Sequence, residues 1–166
     1  LVDIHQISRE EQDEFGFRSQ QLAAKAIANG DFEAEIVPVE YEKADGSKGV
    51  FKVDEYPRQT TLEAMAKLKP VFKKDGSVTA ANSSGRNDGA AMAILMSKEK
   101  AEELGIKPRA YFVAGGIAGV DPSIMGRGPV PAVQIALEKA GGLVLKDMDL
   151  VELNEAFAGQ SLAVYR

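Results

Sequence analysis

Apolar and polar positions alternate along the chain in short blocks, and their spacing predicts helices interleaved with brief strands. Ser8-Arg9-Glu10-Glu11 is a capping box, in which the Ser hydroxyl and the Glu three residues later satisfy free N–H groups at a helix start. Phe15, Leu22, Ala26 and Ile27 then give an apolar stripe, and Gly30 can take the left-handed conformation that ends the helix. Glu35 to Val39 and Gly49 to Val53 read as strands, separated by a turn at Ala44-Asp45-Gly46-Ser47. A second capping box, Thr60 to Glu63, opens a short helix that Pro70 stops.

Further on, Lys74-Asp75-Gly76 is a turn and Val78-Thr79-Ala80 a strand leading into the polar loop Ala81 to Gly89. Ala90 to Met96 is an apolar run of the kind found in strands buried on both faces, which implies a layered sheet. Ser97 starts a helix ending at Gly105, and Ala110 to Val113 is another strand. Pro131 suits the first turn of a helix that Gly141-Gly142 closes. Val151-Glu152-Leu153 is a short strand, after which Asn154 opens the last helix. Strands alternating with helices in this way argue an α/β layered fold.

Composition narrows what such a fold can do. With 20 Lys+Arg against 25 Asp+Glu, the net charge of −5 offers no sequence-wide basic field for nucleic acid or anionic lipid. There are no cysteines, so disulfides, thiolate metal sites and a cysteine nucleophile are absent from these 166 residues. No apolar run reaches the roughly 18 residues of a membrane span, and no leader pattern opens the chain, so a cytoplasmic protein with no membrane partner is expected. The chain opens on Leu1 rather than Met and closes on Ala163-Val164-Tyr165-Arg166 inside a helical pattern, so both ends read as internal to a longer protein.

Three loops are richer in Asn, Ser, Gly and Pro than turns require, and each adjoins an expected strand end, where α/β ligands gather. In Thr79 to Gly89, small side chains let a ligand approach the backbone; the alternative is a capped turn with Asp88 as N-cap. Gly119 to Pro131 lacks the third glycine of a dinucleotide fingerprint and is also readable as a rigid Pro/Gly helix entry. In Asn154-Glu155-Ala156-Phe157 the Asn amide could hold a water or carbonyl oxygen where negative charge develops, or simply cap a helix. His5, the sole histidine, has no Cys or second His to partner and reads as incidental, while Glu10 to Glu14 and Lys98 to Glu103 read as solvated helix faces.

Taken together, these segments resemble the thiolase family along essentially the whole chain. The resemblance runs through Ile7 to Phe15 with Arg18-Ser19-Gln20, Glu35-Ile36-Val37-Pro38-Val39, Thr61-Leu62-Glu63, Leu68 to Phe72 and Gly76 to Gly85. Gly119-Val120-Asp121-Pro122, Met125 to Ala132 and Asn154-Glu155-Ala156-Phe157-Ala158 complete it. It implies a layered αβαβα architecture. Residues 1–86 would be part of the CoA-binding loop domain, 87–109 the last strand and helix of the N-terminal half, and 110–166 the start of the C-terminal half.

The resemblance also implies roles. Arg58 and Phe72 are similar to residues lining the nucleotide and pantetheine parts of the coenzyme A site, and Ala80 and Ser84 match the loop that touches pantetheine. Met125 matches a side chain bounding the acyl pocket; Asn154 matches the asparagine that orients a water in the oxyanion hole, with Ala156 and Phe157 beside it. Coenzyme A is then a substrate, with no permanently bound cofactor, and the whole protein would be a homodimer or homotetramer. In this family the nucleophilic cysteine lies before such a region, and the catalytic histidine and acid/base cysteine after it, so the chain alone is expected to be inactive. Arg86 and Arg127 depart from the commoner pattern, as do Ser83 and Ala81. The alternative is a thiolase-like protein that binds acyl-CoA or lipid without catalysis. A condensing enzyme acting on carrier-protein thioesters fits Asn-Glu-Ala-Phe less well.

Overall fold

A computed structural model describes all 166 residues, which group into two compact bodies. One comprises Val2–Gly85 with Glu155–Arg166; the other comprises Arg86–Asn154 with Leu1.

In the first body, helix α1 spans Arg9–Asn29. The capping box forms as expected: Ser8 Oγ accepts from Glu11 N–H at 3.1 Å, and the Glu11 carboxylate accepts from Ser8 N–H at 2.7 Å. Gly30 ends the helix at φ 75°, a conformation that costs a residue with a Cβ. Strands β1 (Val39–Glu42) and β2 (Lys48–Phe51) form an antiparallel hairpin with Val39 opposite Phe51. Its turn is held by Asp45, whose Oδ1 accepts from both Ser47 N–H and Ser47 Oγ.

The first strand therefore begins where Glu35 to Val39 was expected to end. The reason is local: Glu35 and Ile36 donate their N–H groups back to Phe32 C=O, and Pro38 has no N–H to give. Helix α2 (Leu62–Ala66) is capped by Thr61, whose Oγ1 accepts from Ala64 N–H, rather than by Thr60. It packs on α1 through Met65, which is 1 % exposed. Helix α5 (Ala158–Tyr165) also packs on α1, with the Tyr165 and Phe15 rings 6.3 Å apart.

In the second body, helix α3 (Lys98–Glu103) is capped by Ser97 and closed before Gly105, at φ 64°. A 3-10 segment, Pro122–Arg127, leads into α4 (Pro129–Lys139), so Pro129 rather than Pro131 begins that helix. Gly141 and Gly142 follow with positive φ, as expected of a helix stop. A Cβ on Gly116 would lie 2.0 Å from Ala132 C=O, so the chain there runs directly against α4.

Four expected strands do not form: Val78 to Ala80, Ala90 to Met96, Ala110 to Val113 and Val151 to Leu153 carry no ladder, and the hairpin is the chain's one sheet. A strand takes its hydrogen bonds from a neighbouring strand, and none of these segments finds one among the 166 residues. In Ala90 to Met96 and Ala110 to Val113 the apolar side chains stay in solvent: Met92 is 98 %, Ile94 88 % and Phe112 82 % exposed. The buried apolar set is correspondingly small, consisting of Ile7, Met65, Ala101, Ala158 and Ala163.

Candidate functional site

The first body assembles most of the expected residues around the loop from Thr79 to Gly85. Ser83 and Phe157 form an antiparallel bridge, with Ser84 N–H donating to Ala156 C=O at 2.9 Å and Ala158 N–H donating to Asn82 C=O at 3.0 Å. This pairing holds Phe157 extended. It explains why α5 starts at Ala158, with Phe157 as N-cap, and not directly after Asn154. Asn154 therefore caps no helix.

Phe72 meets Phe157 edge-on, ring centroids 6.1 Å apart, while itself remaining 75 % exposed. Such a pair leaves an aromatic surface open to solvent. Ala80 and Ser84 are exposed on the same loop, and Ala156 is half-buried behind it. Tyr56 ties the loop to the segment carrying Arg58: its hydroxyl donates to Ser83 C=O at 3.0 Å, and the Arg58 guanidinium lies 5.9 Å from its ring centroid. The Tyr56 ring lies so close to Gly85 that a Cβ there would sit 2.4 Å from Cε2. Arg58 N–H also donates to Gln20 Oε1, anchoring this segment to α1, while its cationic head stays exposed.

Beneath the loop lies a buried polar clasp. The Asn82 side-chain carbonyl accepts from Thr79 N–H at 2.8 Å, and its amide donates to Asp13 Oδ1 at 2.9 Å and Ser77 C=O at 3.0 Å. Asp13 Oδ2 accepts from Arg9 Nε at 2.8 Å, and Arg9 Nη2 donates to Met65 C=O and Leu68 C=O. Ser83 Oγ closes the turn by donating to Thr79 C=O at 2.7 Å. Gln12 reaches Ser77 Oγ from α1. The Glu10 to Glu14 stretch is thus not wholly a solvated face: Gln12 and Asp13 are buried. Sequence reading missed them because a helix carrying charges on both sides of its apolar stripe gives no sign that one of them turns inward.

Met125 and Asn154 belong to the second body and are both exposed there. Met125 lies in the 3-10 segment after Asp121, which caps it by accepting from Ser123 N–H at 2.8 Å and Ser123 Oγ at 2.6 Å. The Ser123 hydroxyl first, then its N–H, hold the Asp121 carboxyl below the usual carboxylate range. The Asp88 capping reading fails, since no helix follows it; the next one is capped by Ser97. His5 takes part in the fold through its backbone, with its carbonyl accepting from Arg166 Nη1 at 2.6 Å. No helix is long and apolar enough to cross a membrane.

Against known proteins, residues 1–99 match the family described as "Thiolase, N-terminal domain" and residues 106–166 match "Thiolase, C-terminal domain". An acetyl-CoA acetyltransferase of Syntrophomonas wolfei is 63 % identical over 168 residues, covering 100 % of this chain and 41 % of the relative. The crystal structure of the Bacillus anthracis acetyl-CoA acetyltransferase superposes with a TM-score of 0.93 at 53 % identity, over 98 % of this chain and 41 % of that one. Human mitochondrial 3-ketoacyl-CoA thiolase in complex with CoA superposes with a TM-score of 0.89 at 51 % identity, over 98 % of this chain and 40 % of its own. The chain spans about two fifths of the length of the relatives it matches.

Proposed function

This chain belongs to the thiolase family, with its α/β fold, and from that premise we propose that the intact protein is a thiolase: it cleaves a 3-ketoacyl-CoA with coenzyme A or, in reverse, condenses two acetyl-CoA to acetoacetyl-CoA. Coenzyme A is a substrate in this reading. A cysteine thiolate and a proton-transfer group are required by the chemistry, and both come from outside these 166 residues, which hold no cysteine.

What these residues contribute is binding and charge stabilisation. Arg58 offers a cation to the nucleotide phosphates, and Phe72 with Phe157 offers an apolar wall for pantetheine beside Ala80, Ser84 and Ala156. Met125 bounds the acyl group. Asn154 orients a water that donates to the thioester oxygen as negative charge develops there, a role for which its freedom from helix capping is a precondition. A cytoplasmic homodimer or homotetramer belongs to the same proposal.

The observation carrying this reading is the bridge between Ser83 and Phe157, which brings the loop of Ala80 and Ser84 beside Ala156 and Phe157. A solved thiolase of the same fold in complex with CoA supports it. The test is CoA-dependent cleavage of acetoacetyl-CoA and of a longer 3-ketoacyl-CoA by the intact protein. Cleavage lost on replacing the nucleophilic cysteine establishes the enzyme; CoA binding without cleavage favours a non-catalytic acyl-CoA or lipid-binding protein instead.

A further inference from the structure

The clasp beneath the loop supplies something the expected contacts do not. Ala80 and Ser84 are exposed, and a residue that meets a ligand through backbone and a short side chain is only as well placed as the backbone carrying it. The chain from Thr79 to Ser84 belongs to no helix or strand beyond the single bridge at Ser83, so regular structure does not fix it. Asn82 sits at its centre, 3 % exposed, and every hydrogen-bonding group of its side chain is engaged: its carbonyl by Thr79 N–H, its amide by Asp13 and Ser77.

Asn82 also connects three parts of the fold. Its side chain reaches α1 through Asp13, and its backbone carbonyl receives Ala158 N–H at the start of α5. Asp13 is in turn oriented by Arg9, whose guanidinium is spread between Asp13 and the carbonyls at the end of α2. A buried carboxylate accepting from both an amide and a guanidinium has discrete, directional geometry. A further close approach makes the placement stiff, since Ala81 C=O lies 2.6 Å from where a Cβ on Gly16 would be, leaving no slack between α1 and the loop.

Resting on the thiolase reading, we propose that Asn82, locked by Asp13, is the positioning residue that sets Ala80 and Ser84 for the pantetheine arm of coenzyme A. It touches no substrate itself. Because it acts directly on the pantetheine loop, and reaches Arg58 only through Tyr56 while Gln20 separately anchors Arg58 to α1, its loss should weaken CoA far more than the 3′-phosphoadenosine diphosphate portion. A role confined to stability would lower the melting temperature and leave both ligands bound as before.

The experiment compares the intact wild-type protein with Asn82→Ala, and with Asp13→Asn, which keeps the side-chain volume should the first variant not fold. Binding of CoA and of 3′-phosphoadenosine 5′-diphosphate is measured on folded protein, together with kcat and KM for thiolysis. The expected result is a rise of about tenfold in the Kd and KM for CoA, with nucleotide binding changed less than about twofold, since a misplacement of about 1 Å suffices for losses of that order. Unchanged CoA affinity in folded variants, or equal loss for CoA and the nucleotide, overturns the positioning role and leaves the thiolase reading standing. A wild-type protein that neither binds CoA nor cleaves a 3-ketoacyl-CoA overturns that reading and this inference with it.

Discussion

Asn82 donates its side-chain amide to the Asp13 carboxylate across 69 residues of sequence, at 2.9 Å and out of contact with solvent. A buried pair of this kind is costly to break on one side only, because the group left behind keeps its desolvation penalty and loses its partner. Asn82→Ala strands Asp13 Oδ1, Ser77 C=O and Thr79 N–H together. A single stranded group costs about 1–3 kcal/mol, so with three the intact protein should lose at least about 3 kcal/mol of unfolding free energy by denaturant titration. A loss under about 0.5 kcal/mol would show that water replaces the amide at no cost.

Gly16→Ala sets two effects against each other. In a helix interior alanine is favoured over glycine by about 1 kcal/mol. Here the added methyl would come 2.6 Å from Ala81 C=O, a backbone atom that cannot rotate aside. Forcing the loop off α1 costs about 1–3 kcal/mol by the usual measure of overpacking, so the clash wins and the variant is less stable. Thermal melts of the pair decide the sign; a stabilised variant would mean that the loop yields freely.

Glu11 provides a pH-dependent contribution. The backbone N–H of Ser8 and the charge of Arg166 hold its carboxyl below the ordinary glutamate range. With the folded pKa depressed, the stabilisation is complete above the unfolded value and is lost as pH falls through the lower folded one. Glu11→Gln should accordingly narrow the stability gap to wild type as pH drops below 4.5, and leave the gap constant between pH 6 and 8. A gap that widens on acidification contradicts the assignment.

The places where sequence pattern and structure agree are those where the signal is local. Ser8 with Glu11, Gly30, Asp45 with Ser47, and Gly141-Gly142 are each read from residues a few positions apart, and the backbone groups they satisfy are equally near. The strands fail for the opposite reason. Ala90 to Met96 has the composition of a buried strand, but strand formation is a property of two segments, and pairing cannot be read from one. The same limit hid the clasp: Asp13 looks like any other acid on a helix until Asn82, far along the chain, is brought to it. Phe157 as N-cap was equally hidden, since the bridge to Ser83 overrides the preference for Asn at such a position.

Exposed apolar surface gives the isolated chain a distinct solution behaviour. Met92, Ile94, Leu95, Phe112, Val113 and Ile117 all lie open, far beyond the scattered apolar residues normal on a protein surface. Produced by itself, the 166-residue chain should bind the dye ANS strongly and unfold over a broad temperature range. A sharp, cooperative transition from a monomer without dye binding would count against this.

Asn154 offers the cleanest separation of chemistry from structure. Since Phe157 caps α5 and the Asn154 side chain is exposed, Asn154→Ala in the intact protein should cost no more than about 0.5 kcal/mol of stability. Its proposed part is in the transition state, where a positioned donor meets charge that the ground state lacks; losing one such donor typically costs about 10²–10³ in kcat. The loss should fall on kcat and on kcat/KM together, with the KM for CoA held within about twofold, because the interaction is absent before the reaction begins. Steady-state kinetics of acetoacetyl-CoA cleavage, run beside a thermal melt, distinguish the cases. A kcat within about threefold of wild type removes Asn154 from the oxyanion site. A large fall in melting temperature with kcat preserved makes it a structural residue despite its place outside the helix.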